Sequence, residues 1–324
     1  MFFLLLIFCL SLQAQQLHVL RTSNILGDAE YFLIENAKFS FYEPLSISSY
    51  HRREARERGI VFLEDSTRQK FVLKAYGDDQ REEMVCEYLG SCIGASAGVP
   101  MNKVKIILGG SLLVEIDNGS LLATLHTFVP GKELCKWFEI APNDIILKGG
   151  LISEKHLNCL SLSHDLCAIM ALDIFLNNKD RHHENCFFDE KNNRYYAIDM
   201  GDIFLPVRKI SNVDHGMSCQ IYQELSTIVS QEKTVALNTY DFLNSLDASL
   251  SALQKKVLKN VALVLEALVS LYPPERILNI WVAVAQEVGY VYTEYKKSYL
   301  RLLLEWNICW VHKVIEKIND LINN

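Results

Sequence analysis

The feature that most constrains this chain is the segment from Leu176 to Phe204. Two short runs rich in aromatic and apolar residues, 186–188 and 194–197, flank a polar turn cluster. This pattern predicts a β-hairpin. Because opposed residues of an antiparallel pair lie within about 5 Å of each other, the hairpin is expected to bring Asn185 close to Asp199.

Three oxygen-bearing side chains meet at one end of the predicted hairpin. Asp180 lies just before the first strand, Asn185 begins it, and Asp199 follows the second. Carboxylate and carboxamide oxygens are the ligands that Mg²⁺ takes when nucleotide phosphates also hold it. The same set, with the second carboxylate in an Asp-x-Gly element, forms the phosphoryl-transfer centre of kinases. The residues therefore predict Asp180 as catalytic residue and Asn185 and Asp199 as metal ligands, a hydrated surface hairpin being the alternative.

The same residues resemble a known family. The run Asp-Arg-His-His-Glu-Asn at 180–185 is similar to the catalytic loop of the phosphatidylinositol 3- and 4-kinases and their atypical protein kinase relatives. The run Ile-Asp-Met-Gly at 198–201 resembles that family's Asp-Phe-Gly element, with Met200 in place of Phe, at a similar separation. The resemblance covers about residues 40 to 205. It implies transfer of the ATP γ-phosphate, with Mg²⁺ or Mn²⁺, to a hydroxyl of a protein or a phosphoinositide lipid. The expected role of His182 is to order the loop or to help transfer the proton of the acceptor hydroxyl.

A series of short strands with one helix precedes this segment. Strands are predicted at 39–42, 60–63, 71–74, 104–108, 111–116 and 121–129. Lys74 closes the third of them, and a lysine in an apolar run needs a partner or an open site. A phosphate-binding lysine satisfies both conditions. The stretch from Lys74 to Glu83 also resembles a Lys-x-Gly-Asp-Asp-x-Arg segment of the family, with one extra residue before the glycine. On the helix that follows, either Glu87 or Glu83 is expected to pair with Lys74, as the helix-C Glu does in kinases; Glu87 is favoured.

Two loops of this half are expected to contact ATP. A kinase brings backbone N–H groups close to the phosphates, usually with glycines. Ser48 and Ser49 stand at that position and offer hydroxyls instead; a solvated turn is the alternative. Phe128 and Val129 leave the last strand just before the helical half, where a kinase hinge offers backbone groups and an apolar wall to adenine. A turn without a ligand is the alternative there.

The second half of the chain has helical spacing of apolar residues, from about 157 to 176 and from 236 to 324. The fold class expected is therefore α+β, with a two-lobed kinase-like fold. The N-lobe of antiparallel β-strands with one helix would span 17–131, and the mainly helical C-lobe would span 132–324. ATP is expected in the cleft between them.

Composition limits the partners and the compartment. Half of the 324 residues are apolar, and the net charge of −7 with no basic stripe argues against a nucleic-acid partner. Nine cysteines without a CxxC pair suit a reducing compartment. Residues 1–16, however, begin with an apolar run and resemble a signal or export segment, although a positive n-region is missing. The protein is expected to be secreted or exported if that segment is a signal and cytoplasmic otherwise, with no transmembrane span in the mature chain.

Two alternatives to an active kinase stay open. The missing glycines near Ser48, together with Met200, are also compatible with a catalytically weak pseudokinase that acts as a nucleotide-binding or interaction module. The apolar leader is compatible with a non-enzymatic secreted interaction protein. An enzyme is expected to consume ATP in the presence of Mg²⁺, and a pseudokinase is expected to be stabilised by ATP without consuming it. A non-enzymatic interaction protein is expected to show no stabilisation by nucleotide.

Overall fold

The structure is a computed structural model that describes residues 17–19, 39–41, 59–110, 122–133, 163–181, 185–204, 219–246 and 250–323. The strands are β1 (Leu17–Val19), β2 (Phe39–Phe41), β3 (Ile60–Asp65), β4 (Lys70–Tyr76), β5 (Val104–Gly110), β6 (Leu122–Thr127), β7 (Lys132–Glu133), β8 (Cys186–Asp189) and β9 (Arg194–Ala197). The helices are α1 (Arg81–Ser96), α2 (His164–Phe175), α3 (Cys219–Gln231), α4 (Val235–Ser245), α5 (Ala252–Leu271), α6 (Pro274–Glu287) and α7 (Glu294–Asn323).

The first sheet is antiparallel and has six strands in the order β1-β5-β6-β4-β3-β2. Strand β4 lies inside this sheet, where Lys74 is paired with Ile60 on one side and Thr124 on the other. Phe71 and Leu73 alternate with Lys74 and are buried, as the period of two in a strand requires. The sheet thus places the Lys74 side chain on the face opposite to these two core residues.

Helix α1 covers the sheet next to β5 and β6. Its apolar residues Met84, Val85, Tyr88 and Leu89 recur with helical spacing, and all are buried. The helix is also buried on a second side. There Gly90 packs against Met200, which follows the hairpin, and a Cβ at Gly90 would lie 2.5 Å from that of Met200. Helix α1 is therefore held between the sheet and the second half of the chain.

The predicted hairpin is present. Strands β8 and β9 pair antiparallel, with Cys186 opposite Ala197 and Asp189 opposite Arg194, and β7 joins them to form a three-stranded sheet. The chain enters this sheet at Gly131, which has φ 117° and passes so close to β8 that a Cβ would overlap the Phe188 carbonyl. Only glycine meets both conditions without strain.

The C-terminal helices fix the end of α2, from which residues 176–181 lead into the hairpin. Asn307 Nδ2 on α7 donates to the Phe175 carbonyl at 2.8 Å, which satisfies an acceptor left over at the helix end. Asn177, at φ 53°, accepts a hydrogen bond from Val235 N at 2.9 Å at the start of α4. The loop after α2 is therefore anchored to two further helices.

The α+β fold class is confirmed: an antiparallel sheet with helix α1 comes first, and the part that follows is mainly helical. Strand β6 is shorter than predicted and ends at Thr127. Phe128 N still donates to Lys70 O at 3.0 Å, but Pro130 has no N–H to continue the ladder. The strand predicted at 111–116 and the proposed signal segment 1–16 lie outside the described residues.

Within the described ranges, no single helix combines the length and hydropathy needed to cross a membrane; the consecutive helices α5 and α6 pass that test together, with a bend of 66° between them.

Candidate active site

Lys74 brings the sheet, helix α1 and the segment after the hairpin to one point. Its Nζ lies 3.2 Å from Oε2 of Glu87 and 3.3 Å from Oδ1 of Asp199. The Lys74 side chain keeps one fifth of its surface exposed and that of Asp199 keeps 40%, whereas Glu87 is 1% exposed. The ammonium is thus held by a buried carboxylate and lies beside a second one that solvent can reach.

The carboxylate that pairs with Lys74 is that of Glu87. Besides holding Lys74, it accepts a hydrogen bond from Met200 N at 3.3 Å, so it also contacts the Asp-Met-Gly segment. Glu83 lies one turn earlier and borders Gly201, where an added Cβ would be 3.1 Å from Glu83 Cγ. Glycine at 201 therefore lets this segment approach both glutamates of α1.

The electrostatics of these groups follow from burial and mutual contact. Burial favours the neutral form of Lys74, but the charges of Glu87 and Asp199 outweigh it and raise the pKa of Lys74. Burial also opposes ionisation of Asp199, yet the Lys74 charge lowers the pKa of Asp199 below its ordinary value. Burial raises the pKa of Glu87. Near neutral pH, a lysine ammonium facing an Asp199 carboxylate is the stable arrangement.

Arg181 ties the two candidate metal-binding segments to helix α2. Its guanidinium forms a buried ion pair with Asp173, with Nε 2.9 Å from Oδ2. Its Nη1 donates to the carbonyl oxygens of Asn185 and Ile198, both at 2.6 Å. Nη2 contacts the sulfur of Met200 at 3.0 Å. One side chain thus fixes the backbone on each side of the hairpin end.

The hairpin brings Asn185 and the residue before Asp199 together, because Ile198 N donates to Asn185 O at 3.1 Å. Asn185 is buried and its Nδ2 donates to the Asp180 carbonyl at 3.3 Å. Asp180 N donates in turn to Asn178 Oδ1 at 3.1 Å, while the Asp180 side chain is exposed. The backbone of Asp180 is therefore held on both sides, and its side chain lies at the surface.

Asp199 itself has a left-handed backbone, with φ 59°. Asp and Asn adopt this conformation more readily than other residues with a Cβ. The conformation turns the chain directly after the second strand, so that Asp199 reaches Lys74 while Met200 is fully buried beside Gly90. Met200 thus fills an apolar position between α1 and the hairpin.

A buried polar group lies behind the Lys74–Glu87 pair. His126 on β6 is 2.6 Å from Thr124 Oγ1 through Nε2, and 2.8 Å from Asn102 Nδ2 through Nδ1. With the amide of Asn102 as donor, Nδ1 accepts and Nε2–H donates, which is the pattern of a neutral ring. Burial, followed by the charge of Lys74, lowers the pKa of His126 well below its ordinary value.

Five further residues were predicted to contribute to the site. Phe128 and Val129 lie half-buried directly after β6, on the strand that carries His126. Ser48, Ser49 and His182 fall outside the described residues.

The donor set at the hairpin end fits a magnesium ion shared with a nucleotide. Within the described part of the chain, no group of three or more His, Cys, Asp or Glu could form a complete protein cage for a metal. Mg²⁺ does not require one, because it keeps several waters and binds through one or two protein oxygens together with phosphates. Asp199 offers an accessible carboxylate, and the Asn185 carboxamide lies at the same end of the hairpin.

Sequence reasoning did not assign roles to Asp173, Arg181 or His126. Asp173 had a visible signal, since it is a lone carboxylate in the otherwise apolar second half of α2 and such a residue needs a buried partner. Its partner Arg181 belongs to the Asp-Arg-His motif, but the motif did not predict that Arg181 pairs with Asp173. His126 gave no such signal, because its partner Asn102 meets it only when β6 lies against the chain that leads into β5; its other neighbour, Thr124, stands two residues earlier on the same strand.

Comparisons with known proteins give fold-level similarity. The sequence matches no protein-family model, and a search of curated protein sequences gives no match. The crystal structure of the Helicobacter pylori proinflammatory kinase CtkA is similar to this chain with a TM-score of 0.48 and 15% identity, over 81% of this chain and 91% of that chain. The Shewanella oneidensis MR-1 toxin–antitoxin complex of HipA, HipB and operator DNA is similar with a TM-score of 0.43 and 11% identity, over 95% of this chain and 68% of that chain.

Proposed function

We propose that this protein is an ATP-dependent phosphotransferase that transfers the γ-phosphate to a hydroxyl group. The observation that carries the proposal is the placement of Lys74 Nζ 3.2 Å from Glu87 and 3.3 Å from Asp199. A kinase centre requires both the lysine–glutamate ion pair and the Asp-x-Gly carboxylate in place. The two contacts join strand β4, helix α1 and the segment after the hairpin, which are three distant parts of the chain.

Each site residue is assigned a role in the reaction from its position. Lys74 binds the phosphates of ATP, and Glu87 holds its ammonium in place. The exposed carboxylate of Asp180 orients or deprotonates the acceptor hydroxyl, and His182 orders this loop or helps to transfer the proton. Because the loose phosphoryl-transfer transition state needs mainly positioning and charge neutralisation, fixed charges account for most of the expected rate.

The nucleotide is proposed to lie between the first sheet and the helical part. Phe128 and Val129 would offer backbone groups and an apolar wall to adenine, while Ser48 and Ser49 would offer hydroxyls to the phosphate oxygens. Asn185 and Asp199 would hold Mg²⁺ or Mn²⁺, which when bound neutralises charge on the phosphates.

The acceptor is proposed to be a protein or a phosphoinositide lipid hydroxyl. The resemblance of the 180–185 run to phosphatidylinositol 3- and 4-kinases supports the lipid. The net charge of −7 supports a protein instead, since an anionic membrane surface attracts basic segments.

The test is incubation of the full chain with γ-labelled ATP, Mg²⁺ or Mn²⁺, and a mixed pool of proteins and phosphoinositide vesicles. We expect label on an acceptor with the wild type and labelling about 10²–10³-fold slower with Asp199→Asn. Glu190→Gln is the matched control, because Glu190 is an exposed carboxylate whose recorded ion pair is with Lys132 on the surface. Labelling by Asp199→Asn at the wild-type rate would overturn the proposal.

A thermal shift combined with an assay of ATP consumption separates the pseudokinase from the enzyme. Stabilisation by ATP with Mg²⁺, without ATP consumption against either pool, would identify a nucleotide-binding module. No stabilisation by any nucleotide would point to the non-enzymatic interaction protein. Mass spectrometry of the mature N-terminus shows in the same preparation whether residues 1–16 are removed.

A further inference from the structure

The first turn of helix α1 is tied to the loop between α6 and α7. Arg81 Nη1 donates to the Val288 carbonyl at 2.6 Å. At the next residue, Glu82 Oε1 accepts a hydrogen bond from the hydroxyl of Tyr292 at 2.8 Å. Two consecutive residues of the helix that carries Glu87 are thus held by a segment more than 200 positions further along the chain.

The hydroxyl of Tyr292 both accepts and donates a hydrogen bond at this contact. It accepts a hydrogen bond from Trp281 Nε1 at 2.7 Å and donates its own proton to Glu82. The exposed fractions of Glu82, Trp281 and Tyr292 are 6%, 0% and 2%. Burial raises the pKa of Tyr292 well above its ordinary value, so the hydroxyl keeps the proton that it donates. We call the chain of hydrogen bonds Glu82–Tyr292–Trp281 the α1 latch.

The geometry of a helix connects this latch to the active site. Glu82 and Glu87 are five residues apart, which places them about 140° apart around the helix axis and about 7.5 Å apart along it. The latch therefore holds one side of α1 while Glu87 extends from another towards Lys74. Because a helix is stiff over two turns, a shift of its first turn moves Glu87 as well.

We propose that Tyr292 is a positioning residue whose hydroxyl keeps Glu87 against Lys74 by latching α1 to the helical part. The proposal rests on the proposed function, because it assigns the latch a role at the same site. Phosphate binding by Lys74 requires the α1 position in which Glu87 holds it. A protein that spends part of its time with α1 released therefore binds ATP more weakly, in proportion to the fraction that remains competent.

Tyr292→Phe tests the latch by removing one oxygen atom and leaving the ring in place. The first measurement is hydrogen exchange of peptides that cover residues 81–96, in the absence of nucleotide. Loss of a buried hydrogen bond to a carboxylate is expected to speed exchange in these peptides about tenfold. The second measurement is a kinetic one, in which KM for ATP rises while kcat at saturating ATP is retained.

Tyr290→Phe is the matched control. It removes a tyrosine hydroxyl from the same loop, and the two rings pack edge to face with centroids 4.9 Å apart. The Tyr290 hydroxyl, however, accepts from Lys296 Nζ at 2.6 Å, which is a contact within the helical part. We expect this variant to leave exchange of residues 81–96 and KM for ATP at their wild-type values.

Wild-type exchange of residues 81–96 in Tyr292→Phe, or an equal acceleration in Tyr290→Phe, would overturn the proposal. If Tyr292→Phe does not fold, Glu82→Gln replaces it, because glutamine keeps an acceptor for the Tyr292 hydroxyl and only weakens the hydrogen bond. It must accelerate exchange in the same peptides for the proposal to stand. Exchange is measured without ATP turnover, so a wild type that transfers no phosphate contradicts the proposed function and still leaves the latch testable.

Discussion

Arg181 and Asp173 form an ion pair inside the protein, with Nε of Arg181 2.9 Å from Oδ2 of Asp173 and side chains that are 4% and 0% exposed. The same guanidinium holds the carbonyl oxygens of Asn185 and Ile198. The pair therefore links helix α2 to the backbone on both sides of the candidate metal site.

Breaking this pair is expected to destabilise the protein strongly. Asp173→Asn leaves the buried Arg181 charge without its counter-charge, which costs about 3–5 kcal/mol of unfolding free energy. Urea unfolding at neutral pH measures the change. Glu275→Gln is the control, because it breaks an Arg–Glu pair with Arg301 that is half exposed on both sides and is expected to lose less than about 1 kcal/mol. Equal losses in the two variants would contradict the role assigned to burial.

Asp199→Asn is expected to slow phosphotransfer strongly and keep the fold. Asparagine tolerates the left-handed backbone at this position, and the side chain it replaces is 40% exposed. Loss of the carboxylate that is proposed to hold Mg²⁺ at the phosphates should lower kcat by about 10²–10³-fold. Labelled-ATP kinetics measure kcat, and a melting temperature close to that of the wild type shows that the fold is retained.

Glu87→Gln and Glu83→Gln are expected to differ, although the two residues lie one turn apart. Lys74 donates a hydrogen bond to the Glu87 carboxylate on α1. Its charge-assisted hydrogen bond is worth about 1.5–3 kcal/mol, so Glu87→Gln should lower kcat/KM between about 10- and 100-fold. The same assay on Glu83→Gln should give a value within about threefold of the wild type. A larger loss in Glu83→Gln than in Glu87→Gln would reverse the assignment.

The buried His126 predicts a loss of stability in mild acid. Its pKa is lowered in the folded protein by burial and by the charge of Lys74, whereas the unfolded chain has the ordinary value of 6.5. Below that pH the unfolded state binds the additional proton, so stability falls as the pH falls. The slope is about 1 kcal/mol per pH unit.

His126→Gln removes this term, because glutamine does not titrate. Urea unfolding of both proteins between pH 7 and pH 5 measures the two slopes on a shared background of the other titrating groups, which include Glu87 with its raised pKa. We expect the wild type to lose stability more steeply than the variant over this interval. Parallel slopes would show that His126 does not stay neutral in the folded protein.

The sequence by itself determined the local parts of this protein. The two aromatic and apolar runs within 186–197, separated by a polar turn cluster, are enough for the hairpin, since the turn and the strands are neighbours in the chain. The spacing of apolar residues is enough for α1 and the C-terminal helices. The order of these elements was enough for the α+β class, and the short motifs around Asp180 and Asp199 pointed to the site.

Tertiary structure alone decided which distant groups meet. Glu83 and Glu87 are equivalent by helical spacing, and the choice of Glu87 depends on how α1 is rotated against β4. Tyr292 and Glu82 are separated by 210 positions, so no local pattern could pair them. Such contacts are set by the packing of whole elements, because a buried polar group takes whichever partner the close-packed interior brings within about 3 Å.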